Sequence, residues 1–155
     1  MTQAALQTEF SISPSRVEVK RVHHVMRNAW VDEQISKHLE ATLAMSHGRI
    51  GIEQVFMLLA TDQAQVWFAM DGEECISVVV SEVCEWVSGR RTLKVILAGG
   101  IGSLGRAIGP LMEKMEEFAM LEICSSVMVE GRKGWERALP DGYAFSHCTF
   151  EKEIL

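Results

Sequence analysis

Two glutamates, a run of glycines, and a scatter of thiols and imidazoles are the residues whose types could do chemistry. Glu82 and Glu85 fall in the run Cys75 to Val87, which reads as one long strand, so their side chains point to opposite faces. Glu82 is in phase with Val78, Val80, Cys84 and Trp86. A carboxylate buried among such neighbours has a raised pKa, which suits a general base. The competing reading is that the strand leaves its core before Glu82 and the carboxylate is solvated.

The glycines stand in Ala98 to Pro110, AGGIGSLGRAIGP, between an apolar run and an amphipathic one. A glycine-rich turn leading into a helix offers unpaired N–H groups and a partial positive charge to a phosphate. The same glycines also serve a backbone that simply has to turn. Arg106 puts a cation close to the helix start.

Cys75, Cys84, Cys124 and Cys148 form no CxxC pair and have no His-x-x-x-His companion, so no metal site is expected. They read as reduced thiols, mostly in strand cores. His147 and Cys148 are adjacent on an expected strand and point to opposite faces, which excludes a simple Cys/His pair. His23, His24, His38 and His47 show no ligand spacing and are expected at the surface or at helix edges. Trp67, Trp86, Trp135, Phe68, Phe118 and Phe145 are expected mainly in the core.

These residues need a scaffold, and the periodicity supplies one. Arg16 to Val22 alternates as a half-exposed strand. Val31, Ile35, Leu39 and Leu43 recur every four residues and predict a helix over Trp30 to Met45, and Ile52 to Asp62 predicts a second. Gln65 to Met70, Cys75 to Val87 and Thr92 to Ala98 are strands joined at Asp71-Gly72 and Ser88-Gly89, an antiparallel meander. A helix is expected to open on Pro110, with Leu111, Met112, Met115, Phe118 and Ala119 on its buried face. A strand over Cys124 to Val129, a short helix near Gly134 to Leu139 and a last strand from Tyr143 to Phe150 complete the order. The expected organisation is a flexible arm over residues 1–15 and a single domain over 16–155.

Composition bounds the function. Apolar residues are 48%, charged residues 23%, and the net charge is −6, an ordinary globular balance. The acidic excess argues against a nucleic-acid partner. No window approaches about 18 uninterrupted apolar residues, so no membrane span is expected, and the N-terminus lacks a signal-peptide pattern. A cytoplasmic location follows as the expectation.

Strand, helix, helix, three antiparallel strands, helix, strand, helix, strand: this order resembles the GNAT superfamily of N-acyltransferases over about residues 17–153. Met112 to Gly131, with Glu116-Glu117-Phe118-Ala119, looks like the family's helix and following strand. Gly131-Arg132, Gly134-Trp135 and Gly142-Tyr143 are similar to small GNAT-like proteins of tailed bacteriophages and prophages. The fold class implied is α/β (α+β): a mixed, mostly antiparallel central sheet flanked by helices.

The resemblance implies acetyl-CoA as cofactor. Ile96, Leu97 and Ala98 would meet its pantetheine arm, while Gly99, Gly100, Gly102, Gly105, Arg106 and Gly109 would surround its pyrophosphate. Counting back from Glu116, the family's Gln/Arg-x-x-Gly-x-Gly/Ala turn falls on Leu104, Ala107 and Gly109; a second register takes Leu97, Gly100 and Gly102. Both put leucine where Gln or Arg belongs. Glu82 or Glu85 would be the base. The usual acid is a tyrosine of the closing helix; Ala138 stands there, and Tyr143, the only tyrosine, occupies the glycine-aromatic turn. Two readings stay open: an acetyl-CoA-dependent N-acetyltransferase acting on an amine, and an inactive GNAT-fold structural or interaction protein. The second could be a phage particle component or host-protein modulator, with a homo-oligomer or protein partner engaged through the N-terminal arm.

Overall fold

The computed structural model describes residues 17–100, 104–131, 135–146 and 149–154. The expected arm over 1–15 lies outside them, as do Gly102, His147 and Cys148. In order come β1 (Glu18–Val22), a 3₁₀ turn (His24–Met26), α1 (Ala29–Ala44), α2 (Ile52–Ala60), β2 (Gln65–Asp71), β3 (Glu74–Glu85), β4 (Arg91–Gly99), α3 (Leu104–Leu121), β5 (Ser126–Val129) and α4 (Trp135–Ala138).

The strands form one sheet in the order β1-β2-β3-β4-β5, antiparallel except for the parallel pair β4–β5. Alternation along the strands gives the sheet two apolar faces. On one, Val66, Phe68, Val78, Val80 and Leu97 pack under α1 and α2 through Ile35, Leu39, Val55 and Leu59. On the other, Trp67, Ala69, Val79, Leu93 and Val95 pack under α3 through Ala107, Ile108, Leu111, Met112 and Met115. Both layers are anchored by the same three central strands.

Local chemistry sets the boundaries. Asn28 caps α1, its side-chain oxygen accepting from the Val31 N–H at 2.9 Å. Asp71-Gly72 turns β2 into β3, with Gly72 at φ +62°, a conformation that glycine adopts without strain. Between Val80 and Ser81 the β3–β4 register shifts, so that Leu97 faces Val80 and Val95 faces Ser81, with Ile96 the extra residue of a bulge.

Three expectations are corrected. First, α3 opens at Leu104 and carries Pro110 inside it. Ala107 and Ile108 are buried in the same stripe as Leu111 and Met115, and that burial extends the helix backwards through a proline that donates no N–H to the helix ladder. Second, no strand forms over the described part of Tyr143 to Phe150, so the sheet of the described residues has five strands. Third, Trp86 is 50% exposed and Phe145 71% exposed, whereas Trp67 and Phe68 are core as expected.

Candidate functional site

The parallel pair carries the site. β4 and β5 are paired only from Thr92↔Ser126 to Val95↔Val129. β5 ends there, while β4 continues four residues to Gly99. Below the fork a hydroxyl contact ties the strands, Thr92 Oγ1 to Ser126 Oγ at 3.0 Å. Beyond it the β5 side of Ile96, Leu97, Ala98 and Gly99 has no strand partner among the described residues. A few residues later α3 begins, its first turn at the positive end of the helix dipole. A splayed strand leading to a helix N-terminus is an arrangement that can hold an extended arm ending in a phosphate.

Several sequence-expected residues meet here, with altered roles. Gly105 and Arg106 stand in the first turn of α3, whereas Gly109 lies a turn further on, where its N–H belongs to the helix ladder. Arg106 is ion-paired with Asp71 at 3.0 Å. Gly99 and Gly100 are demanded by packing: a Cβ on Gly99 would overlap the His38 carbonyl of α1, and one on Gly100 would come within 2.8 Å of the Ile76 carbonyl. Two hydroxyls that the sequence did not single out hold the splayed strand. Thr42 of α1 donates to the Ala98 carbonyl at 2.8 Å, and Ser77 of β3 donates to the Gly99 carbonyl at 2.7 Å. The backbone of Ile96 and Leu97 is therefore the best-placed part of the strand for an incoming arm. The fit to acetyl-CoA rests on these two residues and on the first turn of α3.

The carboxylates divide. Glu82 is the cross-strand partner of Lys94, adjacent to the last β4–β5 pair, and is half-buried on the face opposite Val83. Its carboxylate accepts a weak bond from the Cys84 thiol at 3.6 Å, and no cation among the described residues forms an ion pair with it. Lys94 itself pairs with Glu130 at 3.1 Å. The buried stretch of β3 ends at Ser81, so Glu82 sits at the border of the core rather than within it. Glu85 is exposed, three residues further from the fork, facing Arg91.

Tyr143 is not brought to these groups. It packs on the α3 side of the sheet, and its hydroxyl donates to Glu116 Oε1 at 2.7 Å. Burial, with help from Glu116, pushes its pKa upward, so the phenol stays protonated and committed to that bond. Two thiols are held protonated: burial pushes Cys75 up to about 11 and raises Cys84, which Glu82 raises further. Among the described residues no group of His, Cys, Asp and Glu side chains could hold a metal ion, and no helix is long and apolar enough to cross a membrane.

Known structures share this fold. An aminoglycoside acetyltransferase from an uncultured soil metagenomic sample, solved in complex with sisomicin, superposes with a TM-score of 0.66 at 16% identity, over 90% of this chain and 97% of that one. The chain has a GNAT-type fold. A GNAT family acetyltransferase from Staphylococcus aureus aligns with a TM-score of 0.61 at 11% identity, over 89% of this chain and 98% of that one. The ribosomal-protein-alanine N-acetyltransferase of Brucella melitensis gives 0.58 at 15%, over 88% and 100%. At such identities the likeness is one of fold. No family model and no curated protein matches the sequence.

Proposed function

We infer that the protein is an N-acetyltransferase of GNAT type that uses acetyl-CoA and an amine acceptor. The observation that carries this is the separation of β4 from β5 after Val95 and Val129, with the start of α3 beyond it. In this reading the pantetheine arm lies along Ile96 and Leu97, and the pyrophosphate meets the first turn of α3 at Gly105 and Arg106. Bound there, acetyl-CoA supplies an activated acyl group. Glu82, beside the fork and outside any ion pair of the described residues, takes the proton of the acceptor amine. Ile35, Leu39 and Leu97 keep the sheet rigid beneath it. The fold accommodates both small-molecule and protein acceptors, as its structural neighbours do.

A second reading, a GNAT-fold interaction protein without catalysis, as in a phage particle or a host-protein modulator, is favoured by the Ala98 and Gly99 carbonyls being already engaged. Ala138 in place of a tyrosine points the same way. Such a protein would act through self-association or a protein partner of the N-terminal arm, in the host cytoplasm or on the particle. Thermal unfolding with and without acetyl-CoA separates the two: a ligand at a hundredfold excess over Kd adds about 2.7 kcal/mol of stability. The enzyme reading expects that shift, together with thiol release in the presence of a panel of amines. It further expects Glu82→Gln to lower the rate about a hundredfold, the ordinary contribution of a general base, while keeping the shift. An unmoved midpoint at millimolar acetyl-CoA leaves the second reading standing.

A further inference from the structure

At the end of the sheet remote from the fork, α3 closes on a residue unsuited to its backbone. The Cys124 N–H donates to the Ala119 carbonyl at 2.8 Å and the Ile123 N–H to the Met120 carbonyl at 3.1 Å, the paired bonds of a Schellman stop. Its closing position requires a left-handed backbone, which glycine supplies without strain, and here Ile123 holds it at φ +57°. A β-branched residue crowds its own backbone in that region. Among the described residues the other two non-glycine positions with positive φ are His47 and Asp62, types that tolerate it better.

The strain brings a single copy no packing in return, because Ile123 is 83% exposed. Met120 and Leu121, in the last turn of α3, are exposed as well, and so is Val87 at the tip of the β3–β4 hairpin. The hairpin is tied to the same end. Arg90 Nε donates at 2.8 Å to the hydroxyl of Ser125, two residues past Ile123, and the Ser125 N–H donates to the Arg91 carbonyl at 2.9 Å. Charges rim these four apolar side chains. Glu85 and Glu122 share the Arg91 guanidinium, at 3.9 Å and 3.5 Å, while the exposed Arg90 enters no ion pair among the described residues. One copy thus carries a carboxylate in excess and a guanidinium in excess, close in the fold and not paired with each other.

A strained and exposed isoleucine has a physical reason when its side chain is buried by something outside the chain, and a patch with unmatched charge of both signs fits a copy of itself. We propose that this end of the molecule is a two-fold interface between two copies of the chain, with Met120, Leu121, Ile123 and Val87 at its centre and Arg90 of each copy facing Glu122 of the other. A partner of one charge sign would leave either the guanidinium or the carboxylate unmatched, whereas a two-fold rotation presents each with the other. The interface lies at the opposite end of β4 from the splayed strand and needs no contact from the N-terminal arm. It therefore stands whether or not the protein transfers acetyl groups.

Sedimentation velocity on the full chain, from low micromolar to hundreds of micromolar and without added ligand, tests this. The unaltered protein is expected to pass from monomer to dimer as its concentration rises. Ile123→Gly should weaken the dimer by about tenfold, the loss typical of an interface anchor, and yet raise the melting temperature of the dilute monomer by about 3 °C, since glycine relieves the backbone. A residue that served only the fold would not move those two readouts in opposite directions. Arg90→Glu and Glu122→Arg should each weaken association by about tenfold, and an equimolar mixture of the two should restore it, because opposite signs then face each other across the two-fold axis. A protein that stays monomeric throughout overturns the proposal and leaves the patch to the N-terminal arm or to a different protein. A dimer indifferent to Ile123→Gly overturns it as well, which decides the matter even if Glu122→Arg does not fold. So does a mixture of the folded charge variants that associates no better than either alone.

Discussion

His38 lies on the buried face of α1 at 6% exposure, and neither ring nitrogen has a hydrogen-bond partner among the described residues. Burial lowers its pKa from 6.5; the nearby Cys75 backbone works against that, and Lys37 adds to it. The unfolded chain therefore takes up a proton that the folded chain refuses. Stability is fully present above about pH 6.5, the unfolded value, and is lost as pH falls below it. Urea midpoints at pH 7.5 and pH 5 should differ less for His38→Leu than for the unaltered protein; equal differences would show that another group carries the acid sensitivity. Its spacing from Leu39 and Ile35 did not announce this burial, because at i+3 from Ile35 a histidine sits at the margin of an apolar stripe, and tertiary contact with Gly99 decides which side it falls. Gln65 was equally silent, since its burial and its hydrogen bond with Ser81 follow from the β2–β3 register.

At the scale of elements, the approach of α1 to β4 is fixed by one missing atom. The His38 carbonyl occupies the space of a Cβ on Gly99, and the Thr42 hydroxyl one turn later reaches the Ala98 carbonyl. Gly99→Ala should push α1 off the sheet and cost about 3 kcal/mol, as overpacking a rigid core does. Chemical denaturation measures this. A loss below about 0.5 kcal/mol would mean that helix and strand are not in tight contact. The α3 boundary makes the reverse point. A proline in the second turn read as a helix start, since that is where prolines do least harm. Here the apolar stripe from Ala107 to Ala119 outweighs the lost backbone bond.

For the molecule as a whole, the shared sheet has a thermodynamic consequence. The two helical layers pack on opposite faces of β2, β3 and β4, and neither retains a core once those strands separate. Calorimetry should give one transition with equal calorimetric and van't Hoff enthalpies, as expected for a single domain. Two resolved transitions would contradict it. By itself the sequence determined the order of the first nine elements, the antiparallel meander and the GNAT-type architecture, because these follow from apolar period and turn residues, which are local properties of the chain. Only the tertiary structure decided that Gly99 and Gly100 serve packing, that Tyr143 belongs to Glu116, and that Glu82 stands beside the fork while Glu85 is the exposed cross-strand partner of Arg91. Those outcomes depend on register and on contacts between residues far apart in the chain, and no periodicity encodes them.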